Sequence, residues 1–272
     1  PWILDWALPE IFAGIPGQSA EDAWYTTNLH LEHLRTQNQH FTGGAADIFK
    51  CFDQLQRPLL QHILHLAGMP PRILLPYQAC LSNLVVRNSF AGHIGNPHRH
   101  PCGIPQGCPF SMACLALLAR PWVLLSRSMQ VIPRVLADDI MVFASSTTNS
   151  IQPSDHHLSK FTHAFHATLE YFNDIGARIA PNKSFCFSSC PNTRTHLKLI
   201  LWTPINATIP IVHHTRDLGS HLNTNRTILG PTLTKRLTHA THYANRIAQL
   251  PITLTDKLTL IHTKALTLGL YG

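Results

Sequence analysis

Charge is scarce in this 272-residue sequence: Asp, Glu, Lys and Arg together make up 13% of it, against 44% hydrophobic residues. That balance excludes a disordered, highly charged chain and leaves ample material for a core, in one large domain or two modest ones. Closely paired cysteines are also missing. The seven cysteines are odd in number and contain no CxxC, so free thiols in a reducing compartment fit better than a disulfide framework. No apolar run reaches the ~20 residues of a membrane span; the most apolar, 112–125, is interrupted by Arg120-Pro121. No signal peptide, internal repeat or low-complexity tract is visible. The sequence starts at Pro1 and ends at Tyr271-Gly272 inside an apolar pattern, as expected of a segment of something longer.

Acids are the scarcer charged class: 14 Asp and Glu face 21 Lys and Arg, for a net charge of +7 and an isoelectric point near 9.2. A moderately basic chain suits a polyanionic partner. The nineteen histidines are unusual and read mainly as solvated surface groups.

Local patterns place the elements. Ser19-Ala20-Glu21-Asp22 reads as a helix start, with Ser19 as cap and acids in the first turn; Trp24, Leu31 and Leu34 continue a helical stripe to about Gln39. A strand is expected over 41–49, entered through Gly43-Gly44. Helices follow over 58–67, closed by Gly68, and over 73–81. A strand is expected within 84–94, then a loop over 95–102. A helix over 111–126 should bend near Pro121. Two apolar runs, 131–136 and 140–144, read as a hairpin with acids at its tip. Leu158, Phe161, Phe165, Leu169 and Phe172 mark the clearest helix, 153–175, closed by Gly176. Short strands are expected at 184–188, 197–202 and 217–222, and two helices broken at Leu250-Pro251 form the tail. Without regular βαβ alternation, this mixture favours an α+β fold with helices packed on one face of a sheet.

The chemistry begins at Leu136-Ala137-Asp138-Asp139-Ile140. Adjacent carboxylates in apolar surroundings repel each other and lose hydration, a cost a divalent cation offsets. Joining a primer 3′-hydroxyl to a nucleotide α-phosphate uses two Mg²⁺ ions about 4 Å apart, held by carboxylates from separate strands. Asp47 at a strand end and Asp138 and Asp139 at a hairpin tip supply such a set.

With Asp47-Ile48-Phe49-Lys50-Cys51-Phe52-Asp53, Gly103-Ile104-Pro105-Gln106-Gly107-Cys108-Pro109-Phe110-Ser111, Asn182-Lys183 after Gly176, and Asp217-Leu218-Gly219, this ordered set resembles the reverse transcriptase family. The resemblance is nearest to the non-LTR (LINE-type) retrotransposon enzymes. It implies a right-hand polymerase palm, an antiparallel sheet with helices on one face, with partial fingers at 1–42. The palm would cover 43–215, with fingers elements within about 54–100, and a primer grip and the start of a helical thumb would cover 216–272. It also implies individual roles. Asp47 and Asp138 would hold two Mg²⁺ (or Mn²⁺) ions, with Asp139 in support and the Ile48 carbonyl as a further ligand. Phe52 would be the steric gate against a ribose 2′-hydroxyl. Gln106 and Gly107 would line the nascent base pair, Lys183 would protonate or neutralise pyrophosphate, and Leu218-Gly219 would grip the primer. The implied partners are an RNA template, a DNA primer, dNTPs and other parts of a longer polyprotein, including an endonuclease, with no membrane and a nuclear location.

Several positions depart from the family pattern. Leu136 stands where Tyr or Phe is usual, and Asp217 where an aromatic often precedes Leu-Gly. Gly14-Ile15-Pro16-Gly17-Gln18-Ser19 lacks both arginines of the family stretch it resembles. Two alternatives stay open: a catalytically inactive nucleic-acid-binding remnant of such an element, and a group II intron maturase-like polymerase. Cys186, Cys190 and His196 offer three zinc-type ligands without an evident fourth, and His98, His100 and Cys102 a similar loop cluster. Arg99, Arg194, Lys235, Arg236 and Arg246 are candidate phosphate contacts.

Overall fold

The computed structural model describes residues 2–105, 107–146, 153–218, 220–224 and 231–270. After a 3₁₀ turn at Trp2–Asp5, helix α1 runs from Ala20–Thr36, where the Ser19 hydroxyl accepts from the Asp22 amide at 3.2 Å as the cap pattern predicts. Strand β1 (Phe41–Asp47) leads through a single turn, α2 (Cys51–Gln54), into α3 (Arg57–Leu66) and α4 (Pro71–Asn83). Two-residue strands β2 (Ser89–Phe90) and β3 (His93–Ile94) precede α5 (Ser111–Ser128). Then come the hairpin β4 (Ile132–Leu136) and β5 (Asp139–Ser145), helix α6 (Pro153–Asp174), β6 (Phe185–Ser188) and α7 (Pro191–Leu197). A second hairpin, β7 (His214–Asp217) and β8 (Ser220–Asn223), is followed by α8 (Pro231–Ala248), α9 (Leu254–Leu260), a π-helical stretch Ile261–Leu266 and α10 (Thr267–Leu270).

The central sheet is antiparallel throughout, in the order β4-β5-β1-β6. Alternation along β5 divides its side chains: Ile140, Val142 and Ala144 enter the main core with Phe161, Phe165 and Leu169 of α6 and Trp122 of α5. Met141 and Phe143 point the other way, into a smaller core with Leu31 and Leu34 of α1, Phe187 of β6 and Leu222 of β8. So α5 and α6 cover one face, as expected, while α1 and the β8 edge close part of the other.

Gly43 and Gly44 sit in the central strand because nothing larger fits. A Cβ at Gly43 would lie 2.5 Å from Phe187 Cζ and 2.7 Å from Phe143 Cβ; one at Gly44 would lie 3.0 Å from Phe161 and Phe165 ring atoms. The aromatic rings of both cores therefore approach the backbone of β1 directly, which draws the strand deep into the sheet.

Three expectations are corrected. The strand expected within 84–94 is only the β2–β3 hairpin, exposed along its length, because turn residues Ala91 and Gly92 at φ 48° and 81° interrupt it. The strand expected at 197–202 is the end of α7 and a lone bridge between Trp202 and Ala207; Pro191 at the first helical position starts a helix instead. The strand expected at 217–222 folds back on itself as β7 and β8, so Leu218 is a turn residue at φ 48°.

Candidate active site

Asp47 ends β1, and its backbone is clamped on the far side: its amide donates to Ser184 Oγ at 3.1 Å and its carbonyl accepts from the Ala180 amide at 2.9 Å. The next turn needs Lys50 in the left-handed region (φ 46°, ψ 50°), which swings the chain away from the sheet into α2. On the neighbouring strand, Leu136 and Asp139 pair across a two-residue turn whose first member, Ala137, lies at φ 56°. Together with Leu218, this gives three non-glycine residues at positive φ in the turns that carry the proposed site residues. Such strain persists only where the surrounding structure enforces it.

Asp47 and Asp139 are direct partners in the β1–β5 register, and both project on the face that also carries Met141 and Phe143. Asp138 occupies the turn beside them. The carboxylates feel one another: the Asp139 pKa is pushed up to about 6, first by loss of hydration, then by the charges of Asp138 and Asp217, with Asp47 adding and Arg134 opposing. Asp139 nonetheless keeps an exposed edge, so the surrounding protein thins its hydration without sealing it. The buried Cys51 thiol is raised to about 12, by burial and by the charges of Asp138 and Asp47. Lys183 Nζ lies 3.8 Å from Asp47 Oδ1, with 68% of the lysine side chain exposed.

The Gly103–Gly107 loop is bonded to α2. The amide of Gly103 donates to Leu55 O at 2.7 Å and that of Ile104 to Phe52 O at 2.8 Å. A Cβ on Gly103 (φ 85°) would meet Asp53 O at 2.9 Å, so only glycine allows this approach. Buried Arg57 locks the joint, donating to Gly103 O at 2.9 Å and Leu81 O at 2.7 Å. Phe52 is half-buried at this junction, and Gly107 is exposed at φ 88° with open space over it. Gln106 and Gly219 lie outside the described residues. Ile48 is a core side chain, 4% exposed, so any contact it makes with a ligand goes through its backbone.

Two arginines escaped the sequence reading. Arg57 is one; the other is Arg134 of β4, whose guanidinium grips Asp217 of β7 with two bonds of 2.6 and 2.8 Å, both side chains being 5% exposed or less. The pair explains the departure at position 217: a carboxylate replaces an aromatic because it answers a buried cation. The signal was present in the alternation of β4, which directs position 134 inward beside Met141.

Among the described residues, no three His, Cys, Asp or Glu side chains close into a ready-made metal cage, neither Cys186, Cys190 and His196 nor the expected set Asp47, Asp138 and Asp139. The aspartates nevertheless suit Mg²⁺ in kind: it takes one or two carboxylates and completes its shell with water and substrate phosphates. A crowded, partly dehydrated carboxylate with a raised pKa, as Asp139 is, is one that a cation relieves. The remaining basic candidates divide: Arg194 bonds Ser188 O at 2.7 Å and Arg236 bonds Leu268 O at 3.1 Å, while Arg99, Lys235 and Arg246 are exposed. At the other family stretch, Gly14 (φ 75°) packs where a Cβ would meet the Met112 carbonyl carbon at 2.8 Å, and Ser19 caps α1.

Residues 7–230 match the family model described as reverse transcriptase (RNA-dependent DNA polymerase). This chain belongs to that family. Its α+β architecture is the polymerase palm, with partial fingers and the beginning of a thumb. Among solved structures, telomerase from Candida albicans in complex with a TWJ fragment of telomeric RNA is 14% identical over 93% of this chain and 42% of its own, with a TM-score of 0.47. Apo telomerase from Candida tropicalis, truncated from its C-terminal domain, is 16% identical over 63% of this chain and 35% of its own, with a TM-score of 0.44. The chain thus spans less than half the length of either telomerase. No curated protein sequence matches it. No helix among the described residues is long and apolar enough to cross a membrane.

Proposed function

We propose that this chain is the RNA-directed DNA polymerase segment of a non-LTR (LINE-type) retrotransposon, extending a primer 3′-hydroxyl with dNTPs on an RNA template. The observation that carries the reading is the facing of Asp47 and Asp139 across β1 and β5 with Asp138 in the adjoining turn. Asp47 and the adjacent pair Asp138-Asp139, some ninety residues apart, share one sheet end, where a bound cation would offset part of the cost of crowding them.

Asp47 and Asp138 hold two Mg²⁺ (or Mn²⁺) ions in this reading, with Asp139 in support and the Ile48 carbonyl beside them. When bound, such ions lower the pKa of the attacking hydroxyl and spread the charge of the departing pyrophosphate. The rest falls to side chains of this protein. The Lys183 ammonium, mostly exposed and 3.8 Å from Asp47, leans over the acids and gives positive charge or a proton to pyrophosphate. The Phe52 ring, pinned through its carbonyl to Ile104, closes the space a 2′-hydroxyl would need. Gln106 and Gly107 take the face of the new base pair, and Leu218 and Gly219 hold the primer end. The nucleus and a polyprotein with an endonuclease elsewhere belong to the same reading.

A second reading is a folded, inactive remnant of such an element, favoured by Gln18 standing where the family stretch carries an arginine. Primer extension on an RNA template with dNTPs and Mg²⁺, run beside Asp138→Asn, separates the two. Extension by the parent and none by the variant supports the polymerase; template binding without extension by either supports the remnant. Equal incorporation of NTPs and dNTPs would defeat the role given to Phe52.

A further inference from the structure

We infer that the arm formed by residues 84–100 is a docking site for single-stranded RNA, lying apart from the acidic site. No Asp or Glu occurs between Asp53 and Asp138, while seven arginines and five histidines fall in that interval. Of these, Arg127 and Arg134 pair with Glu10 and Asp217 and Arg57 is buried against backbone carbonyls, which leaves Arg87 and Arg99 of the arm as exposed cations in a stretch without an acid.

The fold presents it. Val86 and His98 exchange two backbone bonds of 2.9 Å, and beyond them β2 and β3 pair around the Ala91-Gly92 turn. Every residue from 87 to 97 is exposed. Phe90 is 86% exposed and Ile94 70%, with Arg87, His93 and Arg99 also in solvent. The rings of His98 and His100 meet edge to face, their Nε2 atoms 3.1 Å apart. An aromatic ring held in water near guanidinium and imidazole groups, as Phe90 is, is a means by which proteins bind unpaired strands: a base stacks on the ring while cations follow the phosphates. A duplex keeps its base faces covered and cannot use Phe90.

The arm joins the candidate site through a groove of about 510 Å³ at its base, lined by Lys50, Asp53, Arg57, Val86, His100 and Gly103. Asp53 is the one carboxylate lining it. A strand passing over the Gly103–Gly107 loop therefore meets the arm next. The choice of RNA rests on the polymerase reading; the preference for an unpaired strand rests on the arm alone.

The test uses the full chain and a labelled single-stranded RNA of about 20 nucleotides, enough to span one such site, followed by fluorescence anisotropy at several KCl concentrations. Phe90→Ala is expected to weaken binding at least about five-fold, the loss of one stacked base. Arg87→Gln with Arg99→Gln should lower the salt slope by about 1.4, the share of two phosphates on a single strand. These side chains are exposed, and circular dichroism checks that both variants keep the parent fold. Unchanged affinity and slope in the folded variants overturn the inference, as does an equal loss on a blunt RNA duplex of the same length. Primer extension on a short template is measured alongside. Chains that extend primers yet bind RNA as the parent does defeat the arm alone. Chains that never extend but lose RNA binding in the variants defeat the polymerase reading and leave the arm standing.

Discussion

Arg134 and Asp217 form a buried, two-pronged ion pair between β4, the strand leading into the acidic turn, and β7, the strand leading into the Leu218 turn. It connects the two hairpins that the polymerase reading assigns to metal binding and to the primer end. Arg134 also opposes the upward shift of the Asp139 pKa, so its charge serves both neighbours.

Removing one member strands the other charge in a nearly dry site. Asp217→Ala should destabilise the fold by about 3–5 kcal/mol, and the double change Arg134→Met, Asp217→Leu should recover most of it. Urea denaturation of the three chains decides this. A loss below about 1 kcal/mol for Asp217→Ala, the usual worth of an exposed pair, would show that the pair is not buried in solution.

Asp139 gives a pH signature. Its folded pKa of about 6 lies above the ordinary 3.8, so between those values the folded chain holds a proton that the unfolded chain releases. Stability from this group is intact below pH ~4 and falls as pH rises toward 6, the reverse of the usual carboxylate. Asp139→Asn should therefore gain melting temperature relative to the parent at pH 7.5 and little at pH 4. Mg²⁺ should raise the parent's melting temperature more at pH 7.5 than at pH 5, because protons compete for the same oxygens. A parent and variant that track each other across the range would refute the assignment.

Phe52→Val should open the space closed by the ring. The expected result is ribonucleotide incorporation raised at least about ten-fold relative to dNTP incorporation, with little change in melting temperature, since the ring is only half-buried. Steady-state primer extension with each nucleotide class measures it; unchanged selectivity would leave Phe52 as packing.

Gly103→Ala should be costly out of proportion to its size. Its Cβ would meet Asp53 O at 2.9 Å in a backbone at φ 85°, forcing apart α2 and the loop that carries Gln106. A loss of about 1–3 kcal/mol and a raised KM for dNTPs are expected. Gly107→Ala, with no atom near its Cβ position, isolates the effect of φ 88° alone and should cost less.

Much of this was legible in the order of residues. Local rules placed the Ser19 cap, the α6 stripe of Leu158 to Phe172 and the β4–β5 hairpin, because each depends on neighbours a few residues away. The same was true of the acids: spacing alone put Asp47 at a strand end and Asp138 in a turn. The 84–94 segment misled for the opposite reason. Leu84, Val85 and Val86 have strand character, but among the described residues this run makes only the single Val86–His98 bridge, and an apolar run without a ladder does not become a sheet.

The sequence by itself determined which groups are present, their local elements and the excess of positive charge. Only the tertiary structure decided that Asp47 faces Asp139, that Arg57 fastens the glycine loop to α2, and that Arg134 answers Asp217. Those pairings join residues 46 to 92 positions apart. They are fixed by strand register and by the cost of leaving a buried charge alone, neither of which any local pattern encodes.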